Sequence, residues 1–400
     1  HEMLSGNFKG SFAEWKKLTI NDIKQTNMYN DNCFSVCYDY MEIVSILVDR
    51  KFVDKEILMF KSLECKYLFL EACKYSYKLA IKITKLDCFD KECFNVIDKD
   101  NKNCLHHAAI HQPKLLRYLM RHEYYDSKML RIDQKTNTVL HYAAQYADFK
   151  TGKYLTNHKD ITEEDIYRNN KYYECPLILA ARYNHHMFSC MMNMKLNFEK
   201  YVDRKLGTVL HTGCRYNSNI VELIGKDKTS RDKFRKVIET QQLKATSPIV
   251  LACQYNPRSL DMLIKYFDIE EILLKYDHNK NKFDPYLLIG AQYQPSIINI
   301  FKKLGNDVFK KLSKQKNKSG TPYNDHDYHI FRRNLSKLPN IMNKCLSDHD
   351  PPKMECQICY DSYETVHFKC GHRCCISCAA NLRDCHVCQI KIESFSSLGV

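Results

Sequence analysis

The last fifty residues hold the densest set of metal-seeking side chains in the chain. Cys356 and Cys359 form a Cys-x2-Cys pair, ten residues separate them from Cys370, His372, Cys375 and Cys378, and six more lead to Cys385 and Cys388. Thiolate and imidazole are the ligands that tetrahedral zinc prefers, and a Cys-x2-Cys pair on a tight turn aims two thiolates at one ion. Four ligand pairs in this order supply eight donors, enough for two ions. Cys374 adjoins Cys375 as a competing donor, and the His-x2-Cys-x2-Cys spacing favours Cys375.

This order resembles the cross-brace of RING fingers. The resemblance implies that Cys356, Cys359, Cys375 and Cys378 hold a first zinc, and that Cys370, His372, Cys385 and Cys388 hold a second. Both sites would then be closed, making the zinc structural rather than a Lewis acid. In so small a module, metal binding supplies folding free energy that a core cannot. Cys356-Gln-Ile358-Cys359, Cys370-Gly-His372, the short last spacer and the apolar tail are most similar to the RING of the inhibitor-of-apoptosis family. No segment before residue 351 looks like that family's other zinc domain. The family's RING recruits a ubiquitin-conjugating enzyme charged with ubiquitin, so Ile358 and Leu382 are the expected contacts to that enzyme. Two positions depart from the pattern. His386 stands where RING ligases usually have Pro, and Gln389 stands where many have an Arg that clamps ubiquitin; Gln lacks the charge and fork geometry of Arg. Ile390, Ile392 and Phe395 read as a tail strand. It either packs on a second copy of the RING, giving a homodimer, or covers its own domain.

The preceding residues must position this module, and they repeat. The segments starting at Phe69, Leu105, Leu140, Leu177, Leu210, Ile249 and Leu287 are 33 to 39 residues apart. Each has an apolar residue, then two small residues at the third and fourth positions, and Tyr usually follows. Small residues at that spacing share one helix face and let a neighbouring helix approach closely. Second apolar runs follow, such as Leu115-Leu116 and Ile220-Val221. The leads are regular too: Asp98, Asp133 and Asp203 each precede Asn103, Thr138 and Thr208 by five residues. The pattern resembles the ankyrin repeat, whose hallmark is Thr-Pro-Leu-His-x-Ala-Ala. It reads Leu105-His106, Leu140-His141 and Leu210-His211 here, with Pro kept at Pro176 and Pro248; Pro285 is one residue out of register with an alignment through Tyr293. By that resemblance His106, His141 and His211 hydrogen-bond between neighbouring turns, and the concave face of turn tips and first helices binds another protein. His107, His111, His185 and His186, and the pairs Cys33/Cys37 and Cys88/Cys93, are expected to serve packing rather than metal.

The expected fold class is therefore mainly α: an ankyrin-repeat solenoid followed by a small zinc-stabilised α+β RING domain. Residues 1–64 read as an N-terminal helical region with a divergent repeat around Cys37–Leu47, 65–305 as about seven repeats, 306–350 as a cap (Phe331–Cys345) and linker with its hinge at 346–355, and 351–400 as the RING with its tail. The net charge of +14 lies before residue 351, since Lys plus Arg equals Asp plus Glu beyond it. The run from Lys310 to Lys318 reads as a solvated linker, which leaves nucleic-acid binding the weaker reading. No stretch of about 18 apolar residues suggests a membrane span. Twenty Cys, of which seven fit one metal motif, point to a reducing compartment, cytoplasmic or nuclear, or inside a host cell if the chain is a viral or effector protein. Together these readings describe a RING-type ubiquitin ligase that brings conjugating enzyme and ubiquitin to a target held by the repeats. The alternative is a non-catalytic adaptor or decoy.

Overall fold

The computed structural model describes residues 41–316 apart from breaks at 63–65, 132, 195, 197, 199–206, 242–246, 277–283 and 294–296, together with residue 322 and the strands at 366–368, 373–374 and 395–397. The chain divides into two compact units, His1–Tyr323 and Asn324–Val400.

In the first unit, each of the seven aligned segments lies in a helix of eight residues. These are Leu68–Tyr75, Cys104–His111, Val139–Tyr146, Pro176–Tyr183, Val209–Tyr216, Pro248–Tyr255 and Tyr286–Tyr293. Each packs on the next. The small pairs make this possible: Ala72/Cys73, Ala108/Ala109, Ala143/Ala144, Ala180/Ala181 and Ala252/Cys253 are all fully buried. At Gly213 even a methyl group would stand 3.0 Å from Cβ of Ile220 on the following helix. Pro176 and Pro248 occupy the first position of their helices, where a missing N–H costs nothing. Pro285 instead precedes its helix, as the register through Tyr293 requires.

A second helix follows each first one: Tyr77–Ile83, Pro113–Leu119, Phe149–Thr156, His185–Met192, Ser218–Lys226, Pro257–Phe267 and Ile297–Lys302. Three junctions rest on a single asparagine. The amides of Asn184, Asn217 and Asn256 close the first helix onto Ala180, Gly213 and Ala252. Their side chains then cap the second helix by accepting from Met187, Asn219 and Ser259 at 3.1–3.2 Å.

A third element, absent from the two-helix reading of the sequence, fills the loops between repeats. It is a short helix at Lys91–Phe94, Glu163–Tyr167, Glu270–Leu274 and Asn306–Ser313, a 3-10 turn at Ser127–Leu130, and a 14-residue helix at Lys228–Gln241. Each buries an apolar anchor: Phe94, Met129, Ile166, Phe234, Leu273 and Leu312. The widest spacing, from Leu210 to Ile249, holds the longest insert. Phe94 also joins a ring cluster with Phe69, Phe89 and His122. The basic run corrects one expectation. Lys310 and Lys311 are exposed, but they belong to the helix Asn306–Ser313, whose Leu312 is buried because Val308, Phe309 and Leu312 share one face. Gln315 then ties this end down by donating to the Leu273 carbonyl at 2.8 Å.

At the other end, the expected divergent unit contains the helix Met41–Asp49, with Val44 and Leu47 buried. Its earlier residues, with Cys33 and Cys37, lie outside the described residues, as does Phe331–Cys345. In the second unit three short strands form an antiparallel sheet of order β2-β1-β3, with β1 Val366–Phe368, β2 Arg373–Cys374 and β3 Phe395–Ser397. Val366 pairs with Cys374 on one side and Ser397 on the other, and Phe368 pairs with Phe395.

Candidate functional site

The repeat loops and the ends of the first helices form the most regular polar surface among the described residues. Its foundation is a turn built three times. Oδ1 of Asp98 accepts from the amides of Asp100 and Lys102, Oδ1 of Asp133 from those of Lys135 and Asn137, and Oδ1 of Asn170 from those of Tyr172 and Glu174, at 2.8–3.1 Å. The aspartates Asp98 and Asp133 are those the sequence spacing singled out. Each turn places its fourth residue at positive φ: Asn101, Thr136 and Tyr173. The aspartates' second oxygen holds the first helix. Oδ2 of Asp98 lies 2.9 Å from Nε2 of His107, and Oδ2 of Asp133 accepts from the Tyr142 hydroxyl at 2.6 Å. Burial alone would push the Asp98 carboxyl up, but the His107 bond and the Lys102 amide outweigh it and hold the group below its usual range. Successive turns are joined: the Gln134 amide donates to the Asp100 carbonyl at 2.8 Å, and Nδ2 of Asn170 donates to Oδ1 of Asn137 at 2.9 Å.

The motif histidines bond within their own turns, and two of them, His106 and His141, also face backbone groups of the next turn. Nδ1 of His141 accepts the Thr138 amide at 3.0 Å and lies 2.8 Å from the Thr138 hydroxyl; His211 repeats both contacts with Thr208. In the Asn103 repeat, Nδ1 of His106 stands 2.8 Å from Oδ1 of Asn103. These bonds close the histidine's own turn. Nε2 of His106 and of His141 is buried without a hydrogen-bond partner, although backbone groups of Arg131 and Asn137, and of Glu174 and Arg168, lie near enough to favour the charged ring. Burial dominates and pushes both rings down to about 4, so they are neutral at physiological pH.

Tyrosine and arginine line the C-terminal ends of the first helices. The guanidinium of Arg182 lies 4.4 Å from the Tyr216 ring centroid and 5.1 Å from that of Tyr183. Arg215 repeats the arrangement, 4.5 Å from Tyr255 and 5.1 Å from Tyr216. Tyr75 and Tyr255 are about half exposed. The sequence reading recorded the tyrosines as part of the repeat but missed the arginines between them. The signal was Arg-Tyr at the same place in two neighbouring copies.

The other candidates sort as follows. Cys93 is buried, and the half-buried Cys88 directs its thiol at the Val53 carbonyl. His185 and His186 open one helix with ring centroids 4.0 Å apart. Among the described residues no group of three or more His, Cys, Asp or Glu side chains is placed to hold a metal, and no helix is long and apolar enough to cross a membrane. The proposed zinc ligands Cys356, Cys359, Cys370, His372, Cys375, Cys378, Cys385 and Cys388 lie outside the described residues, as do Ile358, Leu382, His386 and Gln389. The competing Cys374 is described as far as its backbone, which ends β2.

Residues 68–165 match the family of ankyrin repeats (3 copies), a fold that serves protein–protein interaction. No curated protein matches the chain.

Proposed function

We propose that the chain is a RING-type ubiquitin-protein ligase in which the repeats hold a target protein and residues 351–400 bring the charged conjugating enzyme. The observation that carries this reading is the spacing of seven Cys and one His in four ligand pairs from Cys356 to Cys388. The donor set suits tetrahedral zinc at both sites: thiolates for one, three thiolates and an imidazole for the other. Bound zinc would supply the folding free energy of this module. The hairpin is compatible with that arrangement, since β1 and β2 stand on either side of Cys370 and His372 in the sequence. β3 pairs with β1 of its own unit, which favours the tail covering its own domain. No residue of this chain need attack a substrate. The rate would come from proximity, with the thioester held in reach of a target lysine.

The test is ubiquitin transfer reconstituted from activating enzyme, a panel of conjugating enzymes and zinc-loaded full-length protein. Self-modification is expected, and it should vanish in Ile358→Ala and Cys356→Ser. Metal analysis should give two zinc ions per chain, with fewer in Cys356→Ser. A folded, two-zinc protein that supports transfer with no conjugating enzyme would end the ligase reading. The adaptor or decoy reading would then remain, and His386 and Gln389 are the residues that favour it, because they replace the usual Pro and the ubiquitin-clamping Arg.

A further inference from the structure

Arg182 and Arg215 occupy the same position in successive repeats, and the guanidinium of each lies over the tyrosine ring of its own helix and that of the next. One difference separates them. Eight residues before Arg182 stands Glu174, whose Oε1 lies 3.1 Å from Nη1 of the arginine. Eight residues before Arg215 stands Gly207, at φ +75 and without a side chain. The first rung thus carries its own carboxylate. The second has the same platform, and among the described residues no carboxylate comes within ion-pair distance of Arg215. A β-carbon at Gly207 would stand 2.8 Å from Cγ of His211, so the residue that leaves the arginine's edge open is itself kept small by its neighbour.

We propose that Arg215, backed by Tyr216 and Tyr255, is a recognition point for a carboxylate on an acidic segment of a partner protein. Glu174 on Arg182 shows the geometry that the incoming group would reproduce. A guanidinium held against aromatic rings has lost little further freedom when it binds, and its in-plane N–H fork matches a carboxylate. Both tyrosine rings already face this guanidinium, 4.5 and 5.1 Å from it, which leaves them less free to stack a nucleic-acid base, the mode by which aromatic residues hold single strands. Neighbouring helix ends add no opposing charge: the last two residues of the seven first helices include Lys74, Arg182 and Arg215 and no Asp or Glu. The proposal rests on the repeats being a protein-binding array and does not depend on the zinc module.

The experiment is fluorescence anisotropy of full-length protein with three labelled probes: a short peptide alternating Glu and Gly, its Gln counterpart, and single-stranded oligo-thymidine. The Glu peptide should bind more tightly than the Gln peptide. Arg215→Gln should weaken it by about tenfold, the scale of one charge-assisted contact, with part of the loss restored in Arg215→Lys. Arg182→Gln should change binding by less than about threefold, since Glu174 already occupies that arginine. Glu174→Gln frees the first rung and should tighten binding. Unchanged helicity and melting temperature of each variant establish that the effect is local. Equal binding of both peptides, or unchanged binding in Arg215→Gln, overturns the carboxylate rung while leaving the array. Tighter binding of oligo-thymidine than of the Glu peptide overturns the choice of partner. Failure of both peptides to bind at millimolar concentration counts against the rung and the array together.

Discussion

Acid should loosen the repeats well above the range where carboxylates titrate, and the magnitude follows from two rings. His106 and His141 are buried, and burial pushes each from an ordinary 6.5 down to about 4. The unfolded chain takes up a proton on each near pH 6.5, whereas the folded chain refuses it until about 4. Stability from these groups is therefore fully present above pH 6.5 and is lost as the pH falls towards 4. A displacement of this size corresponds to roughly 3 kcal/mol for each ring, of which about 2 kcal/mol is gone by pH 5. Together they remove about 4 kcal/mol at pH 5, a large part of the 5–15 kcal/mol typical of a whole domain. His111 is also pushed down, but its exposed position lets solvent screen its share. The assay is urea unfolding followed by helical circular dichroism at pH 7 and pH 5. His141→Gln, which keeps an acceptor for the Thr138 amide and does not titrate, should lose about half of the pH dependence. Equal midpoints at pH 7 and 5 in the parent protein, or an unchanged pH dependence in His141→Gln, would refute the argument that burial sets these rings.

Two further tests address the turns. Thr136 sits at φ +60, a conformation a β-branched residue adopts at a cost, so Thr136→Gly should stabilise the protein by about 1 kcal/mol in urea unfolding; a destabilisation would show that its side chain contributes more than the backbone strain costs. Asp133→Ala removes the acceptor of two amides and the Tyr142 hydroxyl. It should cost about 3 kcal/mol and speed amide exchange at Lys135 and Asn137, with an effect under about 1 kcal/mol refuting the buried role of this carboxylate.

The repeats were legible because two constraints write themselves into residue type. Helix contact demands the small pair, and turn closure demands Asp98 and Asp133 five residues before the cap. Both signals survive where the rest of the motif has drifted, as at Gly213-Cys214. The shortest of the third elements were not legible, because helices of four or five residues such as Lys91–Phe94 carry only one turn of pattern, here buried at Cys93 and Phe94. The asparagine junctions are written in the sequence as Tyr-Asn at three helix ends, where Asn184, Asn217 and Asn256 each close one helix and cap the next. The Arg215 rung needed both levels: sequence alone places Gly207 opposite Glu174, but only the geometry shows that Glu174 reaches Arg182. For the zinc module the legibility is inverted. Ligand spacing is a sequence property, so Cys356 to Cys388 speak plainly there.

The way each first helix packs on the first helices of the copies beside it has a consequence for how the protein comes apart. Packing of first helix on first helix runs from one copy to the next, so a disturbance at one copy reaches a distant one through the copies between them. Opening should begin at the outermost copies, whose helices have one neighbour rather than two, and move inward as a travelling boundary. The turns at Asp98, Asp133 and Asn170, linked from one copy to the next by Gln134 and Asn170, would act as the stretch where that boundary stalls.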